Sequence, residues 1–250
     1  SARQLEDLIL HDPALSARIL KLANSAFYCF RSEVKTISHA IALLGLNLVK
    51  SLAIGVGIFE SFTKGMKGEG ALINKLWTHS FGVAVLAREI WSRRSSRREG
   101  EFAFLCGLLH DIGKGVFFKK DPVHYSHLFA NKKSEADGDL CTYETEMYGS
   151  DHTMIGAMLA KHWGLPPELA VVIRRHHDVF NTNLPLVAAV SMADVLARSA
   201  DIGYDGDRSL ESDIARLMAQ LMIGDREHEQ MKAFAESRRE EIKQFFRLAS

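Results

Sequence analysis

Apolar residues recur along this chain at intervals of three and four, and almost nowhere in strict alternation, so the expected fold class is all-α. Asp12 is a good N-cap, Pro13 suits the first helical position, and Leu15, Ile19, Leu22 and Ala23 mark one face of a helix reaching about Asn24. Thr36 opens another helix that closes at Gly45, and Asn47 is read as the cap of a third that runs through about Phe62. The stretch Gly65-Met66-Lys67-Gly68-Glu69-Gly70 then breaks the pattern and is the best internal boundary. Further helices are expected near 71–93, 100–110, 151–163, 167–176 and 184–200, with Gly164 and Pro166-Pro167 separating two of them. The segment 115–150 shows no clear period. After Asp205-Gly206-Asp207 come two charged amphipathic helices, near 209–222 and 226–247, read as a solvated tail packed on the core, with an oligomer or partner contact as the alternative.

Composition narrows the class. At 250 residues with 47% hydrophobic content the chain can bury a sizeable core. Lys plus Arg equals Asp plus Glu, at 31 each, so no global field draws it to nucleic acid or an acidic membrane surface. Cys29, Cys106 and Cys141 are odd in number, widely spaced and without a CxxC, which argues for a reducing compartment, read as cytoplasm. The most apolar stretch, Leu43 to Phe62, is interrupted by Asn47, Lys50 and Ser51 and falls short of a membrane span. No signal peptide is visible, and the opening at Ser1 without an initiator Met reads as a fragment or a processed chain.

Five of the eleven histidines fall into a pattern with two aspartates: His79, His110-Asp111, His152, His176-His177 and Asp194. Imidazole nitrogen and carboxylate oxygen suit Zn²⁺, Mn²⁺ or Fe²⁺, and facing helices of a bundle can bring them together. His110 and Asp111 sit where an apolar helix ends, so both side chains can turn toward one cation. Lys114, one turn on, would meet a phosphate oxygen or a developing negative charge. Lys75, one turn before His79, speaks for one or two ions and against a third. His11, His39, His124, His127, His162 and His228 lack such company and are read as capping, packing or surface residues, and Cys106 as a small buried thiol. Arg93, Arg94, Arg97 and Arg98 form a basic knot; without interleaved aromatics or a reading helix it is read as a solvated turn, not a nucleic-acid surface. The glycines of Asn47 to Gly57 are assigned to close helix packing, with a partner surface as the alternative.

The order His79, His110-Asp111-Ile112-Gly113-Lys114, His152, His176-His177, Asp194 resembles the HD superfamily of metal-dependent phosphohydrolases, in the branch shared with HD-GYP cyclic-di-GMP phosphodiesterases. Asp12-Pro13-Ala14-Leu15, Leu22-Ala23-Asn24-Ser25-Ala26-Phe27, Ala40-Ile41 with Leu44-Gly45, Gly107 to Lys114, Gly156-Ala157 and Trp163-Gly164-Leu165-Pro166 narrow the resemblance to the HDOD family, the HD-related output domain. It covers roughly residues 4 to 200 and implies one or two helices upstream of Ser1. The implied architecture is an HD-type bundle: an HDOD domain over 1–206, divided into an N-terminal helical lobe, 1–65, and an HD-like core, 70–206, with a C-terminal extension over 207–250.

The resemblance implies a bacterial signal-transduction output domain with protein partners, in a family generally regarded as non-catalytic. His79, His110, Asp111, His152, His176, His177 and Asp194 would hold a divalent metal, one or two ions of Fe, Mn, Zn or Mg. Asp111 and Lys114 would be the catalytic pair if the site were active, on a nucleotide or another phosphoester. Asp178 to Asn183 contain no Gly-Tyr-Pro, which removes the most specific support for cyclic di-GMP as substrate. Regulatory module and active phosphohydrolase both stay open, and the Asn24-Ser25 corner is the implied protein-contact region of the module.

Overall fold

A computed structural model of the protein describes every residue except 26–27, 29, 31, 64–69, 131–138, 179–183, 205, 207–213 and 248–250. All the regular structure among the described residues is helical. The N-terminal helices are α1 (Ala2–Leu10), α2 (Pro13–Ala23), α3 (Ile37–Leu44) and α4 (Leu46–Thr63). A central group follows: α5 (Gly70–Ser92), α6 (Arg97–Leu109), α7 (Ile112–Lys120), α8 (Pro122–Ala130) and α9 (Leu140–Tyr148). Then come α10 (His152–His162), α11 (Pro167–Arg175), α12 (Pro185–Ser199), α13 (Ile214–Leu221) and α14 (Asp225–Arg247). None of these helices is long and apolar enough to cross a membrane.

The middle of the bundle is set by α5, α6 and α12, which pack on one another. Residues 187–197 of α12 are all buried, as are 76–87 of α5. A helix buried all round has neighbours on every side, and these two carry His79 and Asp194 within those stretches. One apolar core runs without interruption from Ile9 through Leu109 and Ile173 to Ile242.

Several helix ends follow local chemistry. Asp12 Oδ1 accepts from the Ala14 and Leu15 amides, 3.0 Å each, and Pro13 begins α2. Thr36 caps α3 and Gly45 ends it at φ 91°. Here the expected Asn47 cap is corrected: α4 starts at Leu46, because the Gly45 turn lets one helix follow the other directly and Gly45 O already accepts from Val49 N. Helix α6 starts at Arg97, earlier than expected, because Ser96 and Glu99 form a reciprocal capping box. Ser1 and Gln4 make the same motif at α1, which apolar periodicity had not indicated. The 115–150 segment contains the end of α7, then α8 and α9, short helices whose apolar stripes are too brief to show a period. The expected boundary at Gly65 to Glu69 and the start of the expected 209–222 helix lie outside the described residues.

Exposed Asn24 fastens its own corner, its side-chain amide donating to Val34 O at 2.8 Å while its Oδ1 accepts from Val34 N at 2.7 Å, which closes the loop after α2. One surface reading also changes. The basic knot is not merely a solvated turn. Arg94 Nε donates to Leu221 O at 2.7 Å and its guanidinium pairs with Glu227 at 2.9 Å, while Met231, Ala235 and Ile242 lay α14 on the core. Arg94→Ala is therefore expected to cost about 1.5–3 kcal/mol, the range for hydrogen bonds to charged groups. It should also speed proteolytic cleavage within 214–247, and urea melts with mass-mapped limited proteolysis check both effects.

Candidate metal centre

His110 and Asp111 occupy the kink between α6 and α7. Asp111 stands at the N-cap position of α7 without capping it, although an aspartate there ordinarily accepts from the first-turn amides. Its carboxylate points inward instead. Oδ2 pairs with Lys114 Nζ at 2.7 Å and lies 3.3 Å from His110 Nε2, while Oδ1 lies 3.4 Å from both His152 Nε2 and His176 Nε2. Gly113 makes this possible, because α7 crosses α10 so closely that a Cβ at Gly113 would meet His152 O at 2.0 Å.

Four imidazoles are held the same way. Nδ1 of His110 donates to Gly107 O at 2.7 Å, that of His176 to Ile173 O at 2.9 Å and that of His79 to Ile202 O at 3.3 Å. Nδ1 of His152 donates to Glu144 Oε2 at 2.7 Å, and the His152 amide donates to the same oxygen. A carbonyl or carboxylate can only accept, so each Nδ1 carries a proton and Nε2 is the atom turned inward, its lone pair available to a cation whenever the ring is neutral. Histidines that ligate metals are anchored in this manner.

All seven residues expected from the sequence converge. Asp111, His152, His176 and His177 bring ligand atoms within 4.8 Å of one another, and so do His79, His110 and Asp194. His79 Nε2 meets Asp194 Oδ1 at 2.9 Å, and His152 Nε2 meets His177 Nε2 at 3.1 Å. Asp111 is 2% exposed, His79, His110, His152, His176 and Asp194 are 0%, and only His177 is half-buried. Lys114 is likewise 0% exposed, so its ammonium is held inside the cluster by Asp111.

Burial and charge act on the same groups. Desolvation lowers the His176 pKa to about 3, reinforced by neighbouring His177, so that ring is neutral and its Nε2 lone pair faces the Asp111 oxygen. Burial alone would raise Asp111, but His110 and Lys114 hold its carboxyl well below the usual range. Asp194 is lowered against its own burial by Arg198 and His79. His152 is raised well above the ordinary value because the Glu144 carboxylate outweighs desolvation. Burial also pushes the Cys106 thiol up, in keeping with a structural role.

The residues fit a divalent cation. His110 Nε2, His176 Nε2 and Asp111 Oδ1 are buried without a hydrogen-bond partner among the described residues. Imidazole nitrogens left unpaired beside a carboxylate oxygen are a donor set that a cation would satisfy, and N and O donors suit Zn²⁺, Mn²⁺ or Fe²⁺.

Two supporting residues escaped the sequence reading. Glu144 lies in the stretch without a period, where nothing marked it. Arg198 sits four residues after Asp194 on α12 and could have been recognised as an i,i+4 ion pair. Lys75 is corrected as well: its side chain is exposed, so it bears little on how many ions the buried cluster takes. Gly203, at φ 69°, packs against the His79 backbone and brings Ile202 O to that ring.

Known proteins resemble this chain to differing extents. The HDOD domain model matches residues 1–179. A protein of Treponema pallidum (strain Nichols), described as uncharacterized, is 28% identical over 209 residues, 79% of this chain and 39% of its own length. Ribonuclease Y of Mycoplasma mycoides is 24% identical over 204 residues, 80% of this chain and 39% of that enzyme. The chain thus spans about two fifths of the length of these curated relatives. Among solved structures, an HDOD domain protein of unknown function from Geobacter sulfurreducens superposes with TM-score 0.78 at 25% identity, covering 100% of this chain and 87% of that one. A protein from Shewanella amazonensis SB2B with a provisional phosphohydrolase name gives TM-score 0.76 at 26% identity, covering 100% and 88%.

Proposed function

Because the chain belongs to the HDOD family, we propose that it is a regulatory output domain whose buried histidine and aspartate cluster holds one divalent ion as part of the fold, without turning over a phosphoester. The observation that carries the ion is the common anchoring of four Nδ1 atoms, which leaves four Nε2 atoms directed at Asp111 and Asp194. One ion is favoured over two because each aspartate already faces an internal cation, Lys114 for Asp111 and Arg198 for Asp194. Asp111, His152, His176 and His177 would hold it, with His110 beside Asp111. The absence of turnover rests on enclosure. A phosphoester has to reach the ion, yet the cluster is buried except at His177, and Lys114 is engaged with Asp111. Protein partners in a signalling pathway are the proposed readers of this domain.

Protein purified without chelator or a nickel column is expected to carry close to one Fe, Mn or Zn per chain. It should not hydrolyse phosphomonoesters, nucleotides or cyclic di-GMP above background. Turnover abolished by Asp111→Asn would overturn the non-catalytic reading, and a metal-free preparation that takes up no added ion would overturn the ion. Glu144→Gln is expected to keep the fold but weaken metal binding by about 10–100-fold, the usual cost of losing the carboxylate that orients a ligand histidine. Competition titration with a coloured chelator measures this.

The hydrolytic reading has one observation in its favour: a complete donor set in a chain similar to ribonuclease Y. An ion bound there would supply Lewis acidity and an activated water. The same turnover screen, extended to RNA, decides between the two.

A further inference from the structure

We infer that the hollow between the N-terminal helices and the central pair binds a small amphiphile with an apolar body and one anionic head, a medium-chain carboxylate. The hollow has a cavity volume of about 50 Å³ and opens to solvent at its mouth, so it receives the inner part of a short alkyl chain and leaves the head group outside, and it is smaller than a drug-sized ligand pocket. Its wall is almost wholly apolar: Leu22 from α2, Leu52 and Val56 from α4, Trp77 and Phe81 from α5, and Leu108 from α6. Such a wall offers a nucleotide base no hydrogen-bonding partners.

The wall is rigid. Trp77 meets Phe59 edge-on at 5.1 Å, and Phe81 meets Phe104 edge-on at 5.9 Å. Nor can the hollow close by drawing α4 onto α6. Those helices already touch beside it, since a Cβ at Gly55 would lie 2.3 Å from Leu108 Cδ2.

Charge at the mouth selects the head group. Arg18 and Lys21 both line it; Arg18 is paired with Glu60 at 2.8 Å, whereas exposed Lys21 has no carboxylate at ion-pair distance among the described residues. An anion there meets a cation that no internal group neutralises. The hollow also shares helices with the histidine cluster: Trp77 and Phe81 flank His79 on α5, and Leu108 stands two residues before His110 at the end of α6. A ligand wedged against these side chains presses on the two helices that position both histidines, although the binding itself does not depend on the ion.

Octanoate titrated into the whole protein and followed by tryptophan fluorescence and calorimetry is expected to bind saturably at one site, with octanol weaker. Lys21→Glu should weaken octanoate about fivefold, the upper end of an exposed charge contact, and leave octanol unchanged. Val56→Phe, which fills the hollow, should weaken both at least about tenfold without lowering Tm. Absence of saturable binding, or binding indifferent to Val56→Phe, overturns the site. Equal binding of octanol and octanoate, with Lys21→Glu silent, overturns the anionic head. Lys21 lies on the surface, so that variant keeps the test valid if Val56→Phe misfolds.

Discussion

Asp111→Ala is expected to cost about 3–5 kcal/mol of stability, the penalty for breaking a buried ion pair by removing one partner. The loss is large because of what remains. Lys114, 0% exposed and 2.7 Å from the missing carboxylate, would be left as a buried ammonium among imidazoles that cannot replace a negative charge. Replacing both partners tests this cause directly. Asp111→Ala with Lys114→Met should recover most of the loss, because an apolar side chain tolerates the same surroundings. Urea melts of the two single variants and the pair close the cycle. If Asp111→Ala costs under about 1 kcal/mol, as at a surface pair, the interior pairing described above is wrong. Chelator adds an independent reading: removal of a bound ion should lower the Tm of the native protein and leave the double variant unaffected, since only a ligand held by the folded state contributes to its stability.

Gly113→Ala is expected to be as damaging for a steric reason. The added methyl would lie 2.0 Å from His152 O, 2.7 Å from His152 C and 2.9 Å from Gly156 N, all of them backbone atoms. No side chain can rotate aside, so α7 has to lift from α10, carrying Asp111 and Lys114 away from His152. The cost should reach at least about 3 kcal/mol, the top of the usual range for overpacking, with loss of metal uptake in any soluble fraction. Gly57→Ala is the matched control. A Cβ there meets nothing within 4 Å, and alanine in a helix interior is favoured over glycine by roughly 0.5–1 kcal/mol. Tm and metal content of the two variants, measured side by side, separate a blocked helix crossing from a general effect of losing glycine.

Much of this was legible along the chain. Periodicity marks a helix wherever an apolar stripe runs for three turns or more, as in α2 with Asp12 and Pro13 at its start, or α12 with Pro185. Where helices are short, as in α8 and α9, or announced by a cap instead of a stripe, as in α1 and the first turn of α6, periodicity alone fell short. The capping boxes Ser1 to Gln4 and Ser96 to Glu99 were local signals available to be read. The metal-type residues stood out by kind and by their His110-Asp111 and His176-His177 doublets, because few structural needs call for so many imidazoles beside carboxylates.

By itself, then, the sequence determined the helical class and which residues could ligate an ion, since both depend on residue type and on spacing within a turn or two. Tertiary structure alone decided how those residues are used. His79 and Asp194 are 115 positions apart, yet their side chains meet at 2.9 Å. Glu144 orients His152 only because α9 packs beside the start of α10. The turn at Gly203 supplies a carbonyl to His79, and Lys114 pairs with Asp111 inside the protein. A helix's amphipathic pattern says which face is buried and is silent about which helix it meets. Enclosure of the cluster, pairing of its charges and the hollow beside it are properties of that packing.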